Sequence, residues 1–201
     1  AIVCSVVPKL NARLESALKK SLGSRVTLLG RDREVPIPNK TAKPKQVGMD
    51  RLVNAWAAWQ CFKRPVICVD FGTATTFDVI SRRGEYLGGV IAPGVQLTLN
   101  ALAEKTALLP RIRLTPVSRV VGRDTVSSIR SGCAYGLGAL CDGVIAEIDR
   151  QTGSKHAVIA TGGYAAFMKR YAASIKTLDD DLTLKAILSL ANARPLQTRV
   201  A

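Results

Sequence analysis

Between Val66 and Ala92 three apolar, β-branched runs follow one another with only short turns between them. Val66-Ile67-Cys68-Val69 leads through Phe71-Gly72-Thr73 into Thr75 to Ser81, and Arg82-Arg83-Gly84 leads into Tyr86 to Ala92. Turns that short reverse the chain, so the three strands are predicted to form an antiparallel meander. Beyond it the pattern alternates. Helices are predicted from about Val95 to Lys105 and from about Asp124 to Arg150, with a connector holding Pro110 and Pro116 between them. A strand at Ala157 to Ala160 and helices near Tyr164 to Ala172 and Leu182 to Asn192 complete this half, an α/β order.

The first 64 residues show only the alternating part of that order. Ile2 to Val7 is a β-branched run expected as a strand buried on both faces. Pro8 opens a helix in which Leu10, Leu14, Leu18 and Leu22 recur every four residues and Gly23 marks the end. Arg25 to Gly30 is the next predicted strand. From Arg31 to Gln46 the chain is polar, with Pro36, Pro38 and Pro44, so it is expected as an irregular loop long enough to be a candidate for function. Met49 to Phe62 returns to helical spacing. The first half lacks a meander of its own, and it opens on a buried-type strand without an initiator Met. We therefore expect a truncated chain whose domains are residues 1–64 and 65–201.

Composition limits what such a chain does. In 201 residues, 47% hydrophobic and 22% charged, no stretch of eighteen apolar residues free of charge occurs, and the N-terminus lacks the basic, then apolar build of an export signal. A soluble, cytoplasmic protein with no membrane association is expected. Five cysteines form an odd set without C-x-x-C spacing, and His156 is the only histidine, so a zinc site is not expected and the cysteines read as reduced, buried thiols. A net charge of +14 invites nucleic acid as a partner. The thirteen Lys/Arg of residues 1–64 are nevertheless spread over helix faces and loops, with few aromatics among them, so nucleic acid is not expected as the main ligand. The same field attracts anionic small molecules such as ATP.

Four segments carry residues suited to chemistry. In Val69 to Asp78 (VDFGTATTFD), Gly72 permits a tight turn, the hydroxyls of Thr73, Thr75 and Thr76 can hold phosphate oxygens, and Asp70 at a strand end can take a cation. An ordinary hairpin accounts for the same spacing. In Gly48-Met49-Asp50-Arg51, at a helix start, Asp50 can accept a hydroxyl proton and Arg51 can fork onto a substrate oxygen, although Asp50 as a simple cap fits equally. Thr125, in Gly122 to Ser128, opens the long helix as a ligand or a cap. Ala160-Thr161-Gly162-Gly163 suits close approach to a nucleotide, or only a turn from strand to helix. Gly136-Leu137-Gly138 lies in a helical pattern and is no dinucleotide fingerprint. The chain also has no G-x-x-x-x-G-K-[ST] loop and no protein-kinase catalytic loop.

Together these segments resemble the type III pantothenate kinases of the acetate kinase, sugar kinase, Hsp70 and actin superfamily. The resemblance runs from Ser5-Val6-Val7-Pro8 through GMDRLVNAWAA, VDFGTATTFDVIS, YLGGVIAPG, TALLP, GRDTVSSIRSG and IATGG to DLTLKAIL. It implies a duplicated ribonuclease H-like (actin-like ATPase) α/β fold, the first unit incomplete and the second complete. It also implies phosphorylation of pantothenate by ATP, the first step of coenzyme A biosynthesis, in a cytoplasmic homodimer. Asp50 is then the catalytic base, and Gly48, Met49, Asp50, Arg51 and Thr125 the pantothenate site. Gly72, Thr73, Thr75, Gly162 and Gly163 would serve ATP, Asp70 a monovalent cation (potassium or ammonium), and magnesium would accompany the nucleotide. The family's Asp-x-Gly-Asn-Thr phosphate hairpin is absent from these residues, so the chain alone is expected to be poorly active. The loop NKTAKPKQ also carries Thr41 near a position where many members place an aromatic. A regulatory or transcriptional accessory relative, or a kinase for another small hydroxy acid, are the alternatives.

Overall fold

In chain order the computed structural model, which describes residues 1–192 and Leu196, begins with strand β1 (Ile2–Val3), helix α1 (Pro8–Leu22) and strand β2 (Thr27–Leu28). Helix α2 (Met49–Phe62) precedes the meander β3 (Val66–Phe71), β4 (Ala74–Ile80) and β5 (Tyr86–Pro93). Then come α3 (Val95–Lys105), α4 (Thr125–Ser131), a π-helical turn (Gly132–Gly136), α5 (Leu137–Thr152), β6 (Ala157–Thr161), α6 (Ala165–Met168), β7 (Thr177–Leu178) and α7 (Leu182–Asn192). The expected domain 65–201 ends outside the described residues.

The meander forms as its short turns require. Five strands make one sheet in the order β5-β4-β3-β6-β7, with β6 and β7 parallel, and β1 pairs in parallel with β2 in a separate two-stranded sheet. Val66 to Val69 are fully buried, as a near-continuous apolar strand covered on both faces should be. The chain folds as two compact units: residues 1–66, 78–88 and the described residues from 181 onward, and residues 67–77 with 89–180. The division runs through β4 and β5, so residues 78–80 and 86–88 of these strands, with α7, go with the first unit, and the rest of the two strands, with α3 to β7, goes with the second.

Within the first unit α2 is buried from Val53 to Ala58 and packs on α7. The alanines at 55, 57 and 58 leave room for close approach, and buried Asn54 accepts a hydrogen bond from the Thr183 hydroxyl at 2.6 Å. Arg33, from the long loop, donates to the carbonyls of Leu190 and Ala191 near the end of α7, where the helix dipole favours a cation. Lys63 ends α2 with a left-handed φ of 50°, its N–H bonded to Trp59 O.

Three local expectations are corrected. The first strand stops at Val3, because the Ser5 hydroxyl bonds Asn11 and the Val7 N–H, turning the chain into α1; Val6 and Val7 are consequently exposed. The helix expected from Asp124 to Arg150 is divided by the π turn, where two glycines lower helical preference and Tyr171 packs edge-on against Tyr135. The segment expected as a helix from Tyr164 to Ala172 is helical only over Ala165–Met168, and β7 was not foreseen, since two residues carry no period. Among the described residues no helix is long and apolar enough to cross a membrane, and no disulfide forms; Cys68, Cys133 and Cys141 are buried.

A polar knot closes the α5–β6 connection, with His156 buried and Lys155 exposed. Asp149 accepts from His156 N at 3.1 Å, and lies 2.8 Å from His156 Nδ1 and 3.1 Å from Lys155 Nζ. Burial alone would raise the Asp149 carboxyl, but the hydrogen bonds from His156 and Lys155 outweigh it and hold it below its usual 3.8. A depressed carboxyl contributes stability above its unfolded pKa and loses it as pH falls through the folded value. Asp149→Asn should therefore lower the thermal midpoint at pH 7, and the gap from wild type should close below about pH 4. A gap that stays constant in melts from pH 7 to pH 3 would show that the charge plays no part.

Candidate active site

The N-terminus of α2 assembles one group of side chains in the first unit. Gly48 is the N-cap residue, in an extended conformation, and the Asp50 carboxylate folds back so that Oδ1 accepts from the Arg51 N–H at 2.8 Å. A Cβ at position 48 would stand 2.5 Å from that oxygen, so glycine there is what allows the carboxylate its place. Asp50 is also close enough to Cys4 that burial first, and its charge second, push the thiol up to about 11, which leaves Cys4 protonated and unreactive. Met49 turns its thioether onto Gly30, whose φ of 84° and missing side chain make the room.

Arg51 points into the unit. Its Nε and Nη2 lie 2.8 and 2.7 Å from Oδ1 of Asp78, which is fully buried on β4. The Tyr86 hydroxyl donates to the same oxygen at 2.9 Å. Burial, and then the Asp78 charge, raise the Tyr86 phenol far above its ordinary range, so it stays a donor. Tyr86 also ties down the preceding loop, donating from N to Pro38 O at 2.8 Å and accepting from Lys40 N at 2.9 Å. Thr41 bonds Asn39 through both N–H and hydroxyl, and its methyl faces Gly88.

A second group forms in the other unit where β3 ends. Gly162, at the end of β6 with φ of 92°, lies so close that a Cβ there would collide with Asp70 Oδ1 and stand 2.8 Å from both N and C of Phe71. Gly94 approaches the turn in the same way, its missing Cβ falling on the carbonyl oxygens of Gly72 and Thr73. Gly72 and Thr73 are exposed, while Thr75 is buried with its hydroxyl 3.5 Å from Pro93 O. Gly163 is exposed with open space about it. Among the described residues no group of three or more His, Cys, Asp or Glu is placed to hold a metal ion.

Thr125 belongs to that unit too. Asp124 makes a reciprocal capping box with Ser127, so the cap is not Thr125. Thr125 instead lines a cavity of ≈ 900 Å³ with Leu102, Leu109, Ile129, Leu137 and Leu140. Thr98 borders the same cavity, and its hydroxyl bonds Gly94 O at 3.0 Å, one helical turn from the Gly72-Thr73 carbonyls. Asp70, Gly72, Thr73 and Gly162 are thus brought together, while Thr125 lines the cavity with Thr98. Asp50 and Arg51 are brought together with Asp78 and Tyr86. Sequence reasoning assigned no role to Asp78, Tyr86 or Gly94. A charge inside the apolar strand TTFDVI was the available signal, because a buried carboxylate needs partners.

A strand meander followed by helices alternating with parallel strands, in the order β-β-β-α-β-α-β-α, is an α/β arrangement of the ribonuclease H-like fold. The fold agrees with the crystal structure of a conserved Campylobacter jejuni protein assigned to the Baf family of transcriptional activators, at a TM-score of 0.65 and 18% identity over 96% of this chain and 81% of that one. The sequence matches the family profile described as type III pantothenate kinase over residues 1–147. The type III pantothenate kinase of Syntrophus aciditrophicus is 42% identical over 92% of this chain and 73% of its own length. That of Persephonella marina is 45% identical over 81% of this chain and 64% of its own. The chain belongs to the type III pantothenate kinase family.

Proposed function

We propose that the protein to which this chain belongs transfers the γ-phosphoryl group of ATP to a hydroxyl of pantothenate, forming 4'-phosphopantothenate at the entry to coenzyme A synthesis, and that the 201 residues alone are poorly active. The new bond joins the substrate oxygen to phosphorus, the bond to the β-phosphate oxygen breaks, and the hydroxyl proton passes to Asp50. The observation that carries this proposal is the Asp50 carboxylate, folded back over the start of α2 beside Gly48 in a chain of this family. Gly48, Met49, Arg51 and Thr125 are assigned with it to pantothenate by the family resemblance. Gly72 and Thr73, exposed at the β3–β4 turn, offer N–H and hydroxyl donors to the phosphates, with Thr75 supporting the turn from beneath and Gly162-Gly163 beside the nucleotide.

Asp70 suits a monovalent cation, being a hard oxygen donor at the end of β3 beside the Gly72-Thr73 turn. Potassium or ammonium there would offset phosphate charge. Magnesium would arrive with the nucleotide phosphates rather than in a cage of side chains. A homodimer belongs to the same proposal.

The full-length gene product, incubated with ATP, magnesium, potassium and pantothenate, should yield 4'-phosphopantothenate and ADP in equal amounts by mass spectrometry, and these 201 residues alone far less. A protein that binds ATP yet phosphorylates another hydroxy acid and not pantothenate would replace the substrate. Exchanging potassium for sodium should raise the KM for ATP several-fold. Equal values in both salts would take the cation away from Asp70.

A further inference from the structure

We propose that Asp78 and Tyr86 are positioning residues that hold the Arg51 guanidinium in one orientation, and that this triad sets the preference for a substrate bearing an anionic end over its uncharged amide. The proposal rests on Arg51 being a substrate contact, as argued above.

The geometry makes the orientation stiff. Asp78 Oδ1 accepts from Arg51 Nε and lies 2.7 Å from the buried Nη2, so the guanidinium is met from its side rather than end-on. With that edge turned onto Asp78, Nη1 is the remaining nitrogen of the guanidinium. Tyr86 braces the arrangement twice, by donating to the same Asp78 oxygen and by lying with its ring centroid 6.0 Å from the Arg51 Cζ. Tyr86 cannot drift, because its side chain is wholly buried and its backbone is bonded on both sides to the 38–40 loop.

Burial separates the three roles. Asp78 is 0% exposed and cannot meet a ligand, whereas the Arg51 side chain keeps 16% of its surface and begins one residue after Asp50. A guanidinium locked in plane gives directional recognition of a carboxylate, which a lysine in its place would lack.

The test compares pantothenate with its primary amide in the full-length gene product, by steady-state kinetics and by calorimetric binding beside a non-hydrolysable ATP analogue. Tyr86→Phe, which removes only the hydroxyl, should raise the KM and Kd for pantothenate about tenfold, the loss of one hydrogen bond in a charged network. The values for the amide should move less than twofold, so the preference for acid over amide falls, while the KM for ATP stays put. Arg51→Lys should lose the same preference despite keeping its charge. Asp78→Asn should act in the same direction and more strongly; should it fail to fold, Tyr86→Phe decides alone. An acid-over-amide ratio unchanged in Tyr86→Phe, in a protein whose wild type uses pantothenate, overturns the positioning role and leaves the kinase proposal standing. A wild type that neither binds nor phosphorylates pantothenate overturns both.

Discussion

Asp50→Asn lowers kcat for pantothenate phosphorylation by about a thousandfold, the middle of the range for loss of a general base, and leaves the Kd for ATP within twofold. The substitution keeps the shape of the site. An asparagine oxygen can still accept from the Arg51 N–H, now 2.8 Å from Asp50 Oδ1, and Gly48 still leaves the space. What disappears is an acceptor for the hydroxyl proton as the substrate oxygen attacks phosphorus. The groups assigned to the phosphates lie on the β3–β4 turn, which the change does not touch. Turnover near the wild-type rate, measured with saturating ATP, would remove Asp50 from the chemistry.

Gly162→Ala destabilises the protein by about 3 kcal/mol and weakens ATP binding more than tenfold. Two costs combine. A φ of 92° is unfavourable for any residue with a Cβ, about 1–2 kcal/mol, and the added methyl needs space held by the Phe71 backbone, an overpacking cost of about 1–3 kcal/mol. Relief can come only by moving the Asp70 carboxylate or parting the ends of β3 and β6, and either disturbs the phosphate side of the site. Gly163→Ala is the control. Its Cβ meets nothing within 4 Å, so its urea midpoint should stay close to wild type. A Gly162→Ala variant as stable as wild type would mean that the close approach at 162 carries no constraint.

The sequence made the long elements legible because their ends are chemically marked. Gly94 and Lys105 bracket α3, Gly48 precedes α2, Gly23 closes α1, and each structural boundary falls at the expected residue. The meander was equally plain, since turns as short as Gly72-Thr73 leave no other course. The failures share one cause, dependence on contacts distant in sequence. Val6 and Val7 have strand propensity, but Ser5 and Asn11 turn the chain before a ladder can extend. In the candidate site, Asp50 and Asp70 could be picked out from helix-start and strand-end patterns. The role of Asp78 could not, because it depends on Arg51, 27 residues earlier, and on the Tyr86 hydroxyl. The close approach of Gly162 to Asp70 was foreseen only as a property of glycine, without its neighbour.

The π turn at Gly132–Gly136 fixes the phase of everything that follows it. Each helical residue advances the azimuth by about 100°, so a wider turn of five residues resets which face α5 presents. In that setting Gly138 sits under the Tyr171 carbonyl, where no Cβ would fit, and Asp142 accepts from the N–H groups of Ala173 and Ser174 at 2.9 and 2.8 Å. Deleting one residue to make the helix regular would swing both away from their partners. Insertions and deletions between Ser131 and Leu137 are thus barred to this chain, although the segment looks on paper like the most pliable stretch of its longest helical run.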